Sequence, residues 1–122
     1  MKDMGKRTRS IPVLVDLDER FRVMDCFGNY RHVLALCTPF AEQTGGPELS
    51  SVLAQIANDF MAELAQRYPD RFPGFVAAVP INNMDATVAE IHWAVKTLGT
   101  RGVQIKTNIS GHPLDEPGFE PL

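Results

Sequence analysis

Apolar positions along this chain recur at two spacings, and the alternation between them divides the chain into helices and strands. Leu17, Phe21, Met24 and Phe27 follow one another at three and four residues, the spacing of one helical face. Asp16 and Asp18 supply carboxylates for a helix start, and Gly28-Asn29 supplies residues that tolerate the left-handed conformation at its end. A helix is therefore predicted near 17–27. His32 to Cys37 is then a short apolar run without alternation, as expected of a strand buried on both faces, with its core at 33–37.

Thr38 to Pro47 reads as a loop, with Pro47 suited to a first helical position. Leu49, Val52, Leu53, Ile56, Ala57, Phe60 and Leu64 make an apolar helical face across 48–67, which Tyr68-Pro69 ends. Arg71 to Pro80 is a second apolar run, predicting a strand near 74–79. Val88, Ile91, Val95 and Leu98 place a third helix near 85–98, with acidic residues toward its start and Lys96 near its end, matching the helix dipole. Gly99 to Gly102 turns the chain into a third strand near 102–106.

A strand, a helix and a second apolar strand in succession form a βαβ unit, which requires a parallel sheet covered by helices. Three such strands fit either a small doubly wound sheet or an arc of a (β/α)₈ barrel. Crossovers are right-handed in both, so handedness does not separate them. A whole barrel needs about 250 residues, so 122 residues supply only about three of its βα units. The fold class expected is α/β, a partial (β/α)₈ TIM-barrel segment in residues 11–122, with residues 1–10 as a basic, mobile tail.

Composition narrows the functional classes. The net charge of −3 gives no general attraction to nucleic acid, and the basic run Lys2, Lys6, Arg7 and Arg9 reads as a solvated tail. No stretch approaches the roughly 18 apolar residues of a membrane span, and the N-terminus lacks the apolar segment of a secretory signal. Cys26 and Cys37 are too few for a disulfide framework and form no Cys-x-x-Cys pair, so reduced thiols in a cytoplasmic protein are expected. Cys37 reads as a buried structural thiol. Gly45-Gly46 matches no phosphate-binding pattern and reads as a mobile loop. His32, His92 and His112 fall at a strand start, in a helix and in a loop, and none has the spacing of a metal-ligand pair.

The words Arg67-Tyr68-Pro69-Asp70-Arg71-Phe72, Phe75-Val76-Ala77-Ala78-Val79-Pro80, Ala89-Glu90-Ile91, Leu98-Gly99 and Gly102-Val103-Gln104-Ile105 stand in a telling order. With Phe21 to Asp25, His32 to Leu36 and the tail Thr107 to Pro117, they resemble the amidohydrolase-related family. That family includes aminocarboxymuconate-semialdehyde decarboxylase and the resorcylate- and carboxyvanillate-type decarboxylases. The resemblance covers about residues 11 to 122 and implies an inner piece of a barrel enzyme, strands two, three and four. It implies a divalent metal, zinc or manganese, held in the complete enzyme by a His-x-His pair on the first strand, a histidine after a middle strand and an aspartate near the last. None of those ligands can be placed on this chain, so neither metal binding nor turnover is expected of it alone.

The implied parent is a metal-dependent decarboxylase or hydrolase of an aromatic or unsaturated carboxylic acid; the alternative is a non-catalytic α/β binding module. Function in such barrels gathers at the C-terminal ends of strands, here Cys37 to Phe40, Pro80 to Asn83 and Lys106 to Asn108. Lys106, Thr107 and Asn108 offer an ammonium, a hydroxyl and an amide to a substrate carboxylate or phenol oxygen. They equally suit loop backbone groups. The family also implies Arg9 as a weaker candidate, because a planar guanidinium ahead of the first helix suits a carboxylate. Unpaired strand edges are expected to favour self-association.

Overall fold

The computed structural model describes residues 4–122. Helix α1 spans Met4–Arg9, α2 Pro12–Val15 and α3 Leu17–Asp25. They lead into strand β1, Val33–Leu34. Helices α4 (Ala41–Thr44) and α5 (Pro47–Arg67) follow, then strand β2, Gly74–Phe75, and helix α6, Met84–Lys96. The chain closes with a tight hairpin, β3 (Asn108–Ile109) and β4 (His112–Pro113), and a 3₁₀ turn at Pro117–Phe119.

The three long helices lie where the periodicity put them, and their ends follow local chemistry. Asp16 accepts from the backbone N–H groups of Asp18 at 2.9 Å and Glu19 at 3.2 Å, capping α3. Gly28, at φ 66°, lets the chain leave that helix in the left-handed region. Pro47 occupies the first turn of α5, and Asn83 caps α6 by accepting from Ala86 N at 3.2 Å. The basic N-terminus departs from expectation: Met4–Arg9 is a short helix, and Arg9 Nε donates to Gly5 O at 3.2 Å. Lys2 lies outside the described residues.

β1 and β2 pair in parallel, Val33 opposite Gly74 and Leu34 opposite Phe75. A third extended segment joins on the far side of β2 through a parallel bridge between Ala77 and Val103. Ala77 N donates to Gly102 O and Gln104 N to Ala77 O, both at 2.8 Å. The three segments thus lie side by side in sequence order. The regular strands are shorter than predicted, because side chains take over the ladder. Asn58 Oδ1 accepts from Ala78 N and Asn58 Nδ2 donates to Ala78 O, both at 2.8 Å. Thr100 Oγ1 donates to Phe75 O at 2.7 Å, and Thr87 Oγ1 to Pro80 O at 2.8 Å. Each buried backbone group so engaged is satisfied without a strand partner.

These bonds explain the largest difference from the sequence pattern. The apolar stripe of α5 was expected to face the core, yet Leu49, Val52, Ile56 and Phe60 are exposed, Ile56 by 60%. The buried face is Ser50, Ala54, Asn58, Met61 and Ala62, with Leu64 the one residue of the predicted stripe that is buried. In α6, likewise, Thr87, Glu90 and Ala94 are buried while Val95 is exposed. Small and polar residues let the helices approach the sheet closely and reach its backbone. Leu49, Val52, Ile56 and Phe60 of the flanking apolar stripe are left facing outward, while Leu53 and Ala57 are half-buried. Phe27, assigned to the α3 core face, is also exposed at 68%; Met24 alone of that stripe is fully buried. The main core joins Met24, Leu34, Met61, Leu64, Phe72 and Phe75. At its edge the rings of Phe21, Tyr68 and Phe72 meet with centroids 5.0–6.4 Å apart. A second cluster joins Val79, Ile81 and Ile109 beneath the C-terminal hairpin.

Candidate functional site at the strand ends

The parallel arrangement brings the ends of all three extended segments to one side of the sheet, as a common direction requires. After β1, Thr38-Pro39 is a cis peptide and Phe40 leads into α4. After β2, Asn82 accepts from Ser50 Oγ at 2.5 Å and donates to Gly45 O at 3.4 Å. That pair ties the second strand-end loop to the start of α5. Gly45-Gly46 therefore joins two helices and is anchored, which corrects its reading as a free loop.

Of the four residues proposed from the sequence, Lys106 is the most tightly held. Its ammonium pairs with Glu42 of α4 and lies 4.3 Å from the centre of the Phe40 ring. Glu42's side chain is only 7% exposed against 28% for Lys106, so the carboxylate is the more desolvated partner. Phe40 falls within the first predicted strand end without a role of its own, and Glu42 has no signal in the sequence. A lone acid and a lone aromatic in a loop look like surface residues until the chain folds back. Gln104, one strand position pair before Lys106, lines the same small cavity with Ala78, Val79 and Ile109, and its buried Oε1 has no partner.

Thr107 is exposed. Asn108 belongs to the hairpin, where its Oδ1 accepts from Gly111 N at 3.3 Å, the loop-satisfying role open to asparagine. Arg9 stands apart from these three. It borders a cleft of about 570 Å³ with Cys37, Thr38 and Pro39 at the end of β1 and with Phe60 and Leu64 of α5. Cys37 is exposed, not buried, because that cleft opens beside it. Lys106 and Arg9 thus flank different parts of the strand-end surface.

The histidines do not converge. His32 lies at the opposite end of β1 with its ring 4.9 Å from Tyr30. Burial and then the charge of Arg20 hold its pKa below the usual value, favouring the neutral ring. His92 sits exposed on α6, and His112 Nδ1 lies 3.1 Å from Glu116. Among the described residues no three His, Cys, Asp or Glu side chains are placed to hold a metal ion. The residues present do not fit the metal the resemblance implies. No helix of the described residues is long and apolar enough to cross a membrane.

A match to the Amidohydrolase family runs over residues 14–122. The chain belongs to that family. It is 34% identical over 110 residues to gamma-resorcylate decarboxylase of Rhizobium radiobacter, a span of 89% of this chain and 32% of that protein. It is 32% identical over 76 residues to 2-amino-3-carboxymuconate-6-semialdehyde decarboxylase of Dictyostelium discoideum, covering 62% of this chain and 21% of the other. The fold matches 5-carboxyvanillate decarboxylase of Novosphingobium aromaticivorans, solved with manganese and 4-hydroxy-3-methoxy-5-nitrobenzoic acid. That match has a TM-score of 0.83 and 33% identity, and takes in 99% of this chain and 34% of the enzyme. The 2,6-dihydroxybenzoate decarboxylase from Rhizobium matches at a TM-score of 0.74 and 30% identity, over 85% and 34% of the two chains. This amidohydrolase-family chain therefore spans about a third of the length of the relatives it matches.

Proposed function

We propose that this chain forms strands two to four, with their helices, of a metal-dependent amidohydrolase barrel that decarboxylates an aromatic or unsaturated carboxylic acid. The observation that carries this reading is the sequence-ordered parallel arc of β1, β2 and the Val103 segment. Nearly all of it lies within the match to 5-carboxyvanillate decarboxylase. In the complete barrel Lys106, Thr107 and Asn108 stand at the strand ends as contacts for a carboxylate or phenol oxygen, with Arg9 as a second cation on another part of that surface. Binding at Lys106 involves exchange with Glu42, since the ammonium is already paired. Hydrolysis of a related substrate is the alternative reaction. Two free thiols suit a cytoplasmic setting.

By itself the chain is inactive in this reading, because the metal ligands come from outside the described residues. Among the described residues β1 also keeps one edge free. His32 N donates to Arg71 O and Leu34 O accepts from Val76 N, so Val33 between them turns its backbone groups to the unpaired edge. Such an edge favours association with another copy.

The test is carbon dioxide release from 2,6-dihydroxybenzoate and 5-carboxyvanillate with Mn²⁺ or Zn²⁺. It compares the purified chain with a longer polypeptide that includes its flanking coding sequence. Turnover by the longer protein alone is expected. If neither turns over and the short chain stays a stable monomer, the non-catalytic α/β binding module becomes the better reading.

A further inference from the structure

Asn58 sits at the centre of the molecule, fully buried, and makes three bonds to two other elements. Its amide accepts from Ala78 N and donates to Ala78 O, each at 2.8 Å. Its Nδ2 also donates to Glu90 Oε1 of α6 at 2.7 Å. Glu90 is 3% exposed, and no cation among the described residues acts on it. The groups facing it from α5 are Asn58, Gln55 and the carboxylate of Asp59. Gln55, Asp59, Glu90 and Trp93 line an open cleft of about 380 Å³ between α5 and α6.

We infer that Glu90 and Asn58 form a protonation-dependent clamp on the segment leaving β2, holding Ala78 firmly while Glu90 is neutral and loosening when it ionises. The neutral acid tolerates its buried position and fixes the Asn58 amide by accepting from it. On ionisation the proton passes to solvent through the cleft. The carboxylate then carries a desolvation cost and the repulsion of Asp59, which together outweigh the hydrogen bonds from Asn58 and Gln55. Rotation into the cleft hydrates the charge. Asn58 then loses the contact that fixed its orientation, and the grip on Ala78 weakens. Ala78 leads directly into Pro80 to Asn83, so the strand-end loop responds to pH from the far side of the sheet.

Hydrogen exchange of the Ala78 amide, followed by NMR from pH 4.5 to 8 and corrected for intrinsic rates, tests this. Its protection is expected to fall about tenfold across the Glu90 titration in the native chain and to stay level in Glu90→Gln. Asp59→Asn removes the neighbouring charge and is expected to move the transition, and with it the loss of protection, to lower pH. Flat protection in the native chain overturns the inference, as does an undiminished fall in Glu90→Gln. Should Glu90→Gln fail to fold, an unmoved transition in Asp59→Asn decides against it.

Discussion

Lys106 and Glu42, 64 residues apart in sequence, form an ion pair that joins the third strand end to the short helix after the first. The lysine ammonium lies over the Phe40 ring, while the glutamate side chain is almost wholly enclosed. Removing the cation leaves a desolvated carboxylate, whereas removing the anion leaves a lysine that can turn to water. Lys106→Met is therefore expected to cost about 1–3 kcal/mol in urea unfolding, and Glu42→Gln distinctly less. Equal costs for the two variants would show that the pair is effectively solvated.

Asn58 satisfies both backbone groups of Ala78 from within the core. Asn58→Ala is expected to destabilise the chain by about 3–5 kcal/mol, since it strands a donor, an acceptor and a buried acid together. Asn58→Asp adds a third carboxylate to those of Glu90 and Asp59. Its thermal unfolding is expected to be worse at pH 7 than at pH 4.5, and a loss independent of pH would contradict the placement of Glu90.

Burial and the charge of Asp59 raise the pKa of Glu90 in the folded chain. For an acid raised on folding, the unfolded chain releases its proton first. The contribution of Glu90 is thus fully present below the unfolded carboxyl pKa and is lost as pH rises through the folded one. Glu90→Gln is expected to be more stable than the native chain at pH 8 and to lose that advantage near pH 4. Denaturant midpoints at the two pH values measure it.

The exposed stripe of α5 and its buried face make opposite demands on substitution. Ile56→Lys is expected to change stability by less than about 0.5 kcal/mol in the monomer. Ala54→Leu, at a position with no exposure, is expected to cost about 1–3 kcal/mol through overpacking. Urea unfolding of both variants distinguishes the observed orientation of α5 from the one its apolar spacing suggests.

Val33 stands at the open edge of β1 and is 62% exposed. If that edge mediates self-association, Val33→Lys places a charge where a second strand would pair and lowers the association. Sedimentation velocity across a range of concentrations is expected to show a smaller oligomer fraction in the variant. An unchanged distribution would assign any association to another face.

The order of elements was legible in the sequence because helix starts and stops are local events. Asp16, Gly28, Pro47 and Gly99 act within a few residues of themselves, and a capping carboxylate or a left-handed glycine needs no distant partner. The parallel pairing followed from apolar runs separated by helices, and the family from the order of those runs. The orientation of α5 and α6 was not legible. Apolar spacing marks a face that shuns water, but Asn58 and Thr87 bond backbone groups that only the folded sheet presents, and Glu90 accepts from the Asn58 amide so placed. The strand-end site divides the same way. Lys106 was visible as a cation at the end of a strand; its commitment to Glu42 and Phe40 arises only when α4 folds across the strand ends. A charge pair of that separation leaves no periodic trace in the chain, because nothing but the tertiary path brings its two halves together.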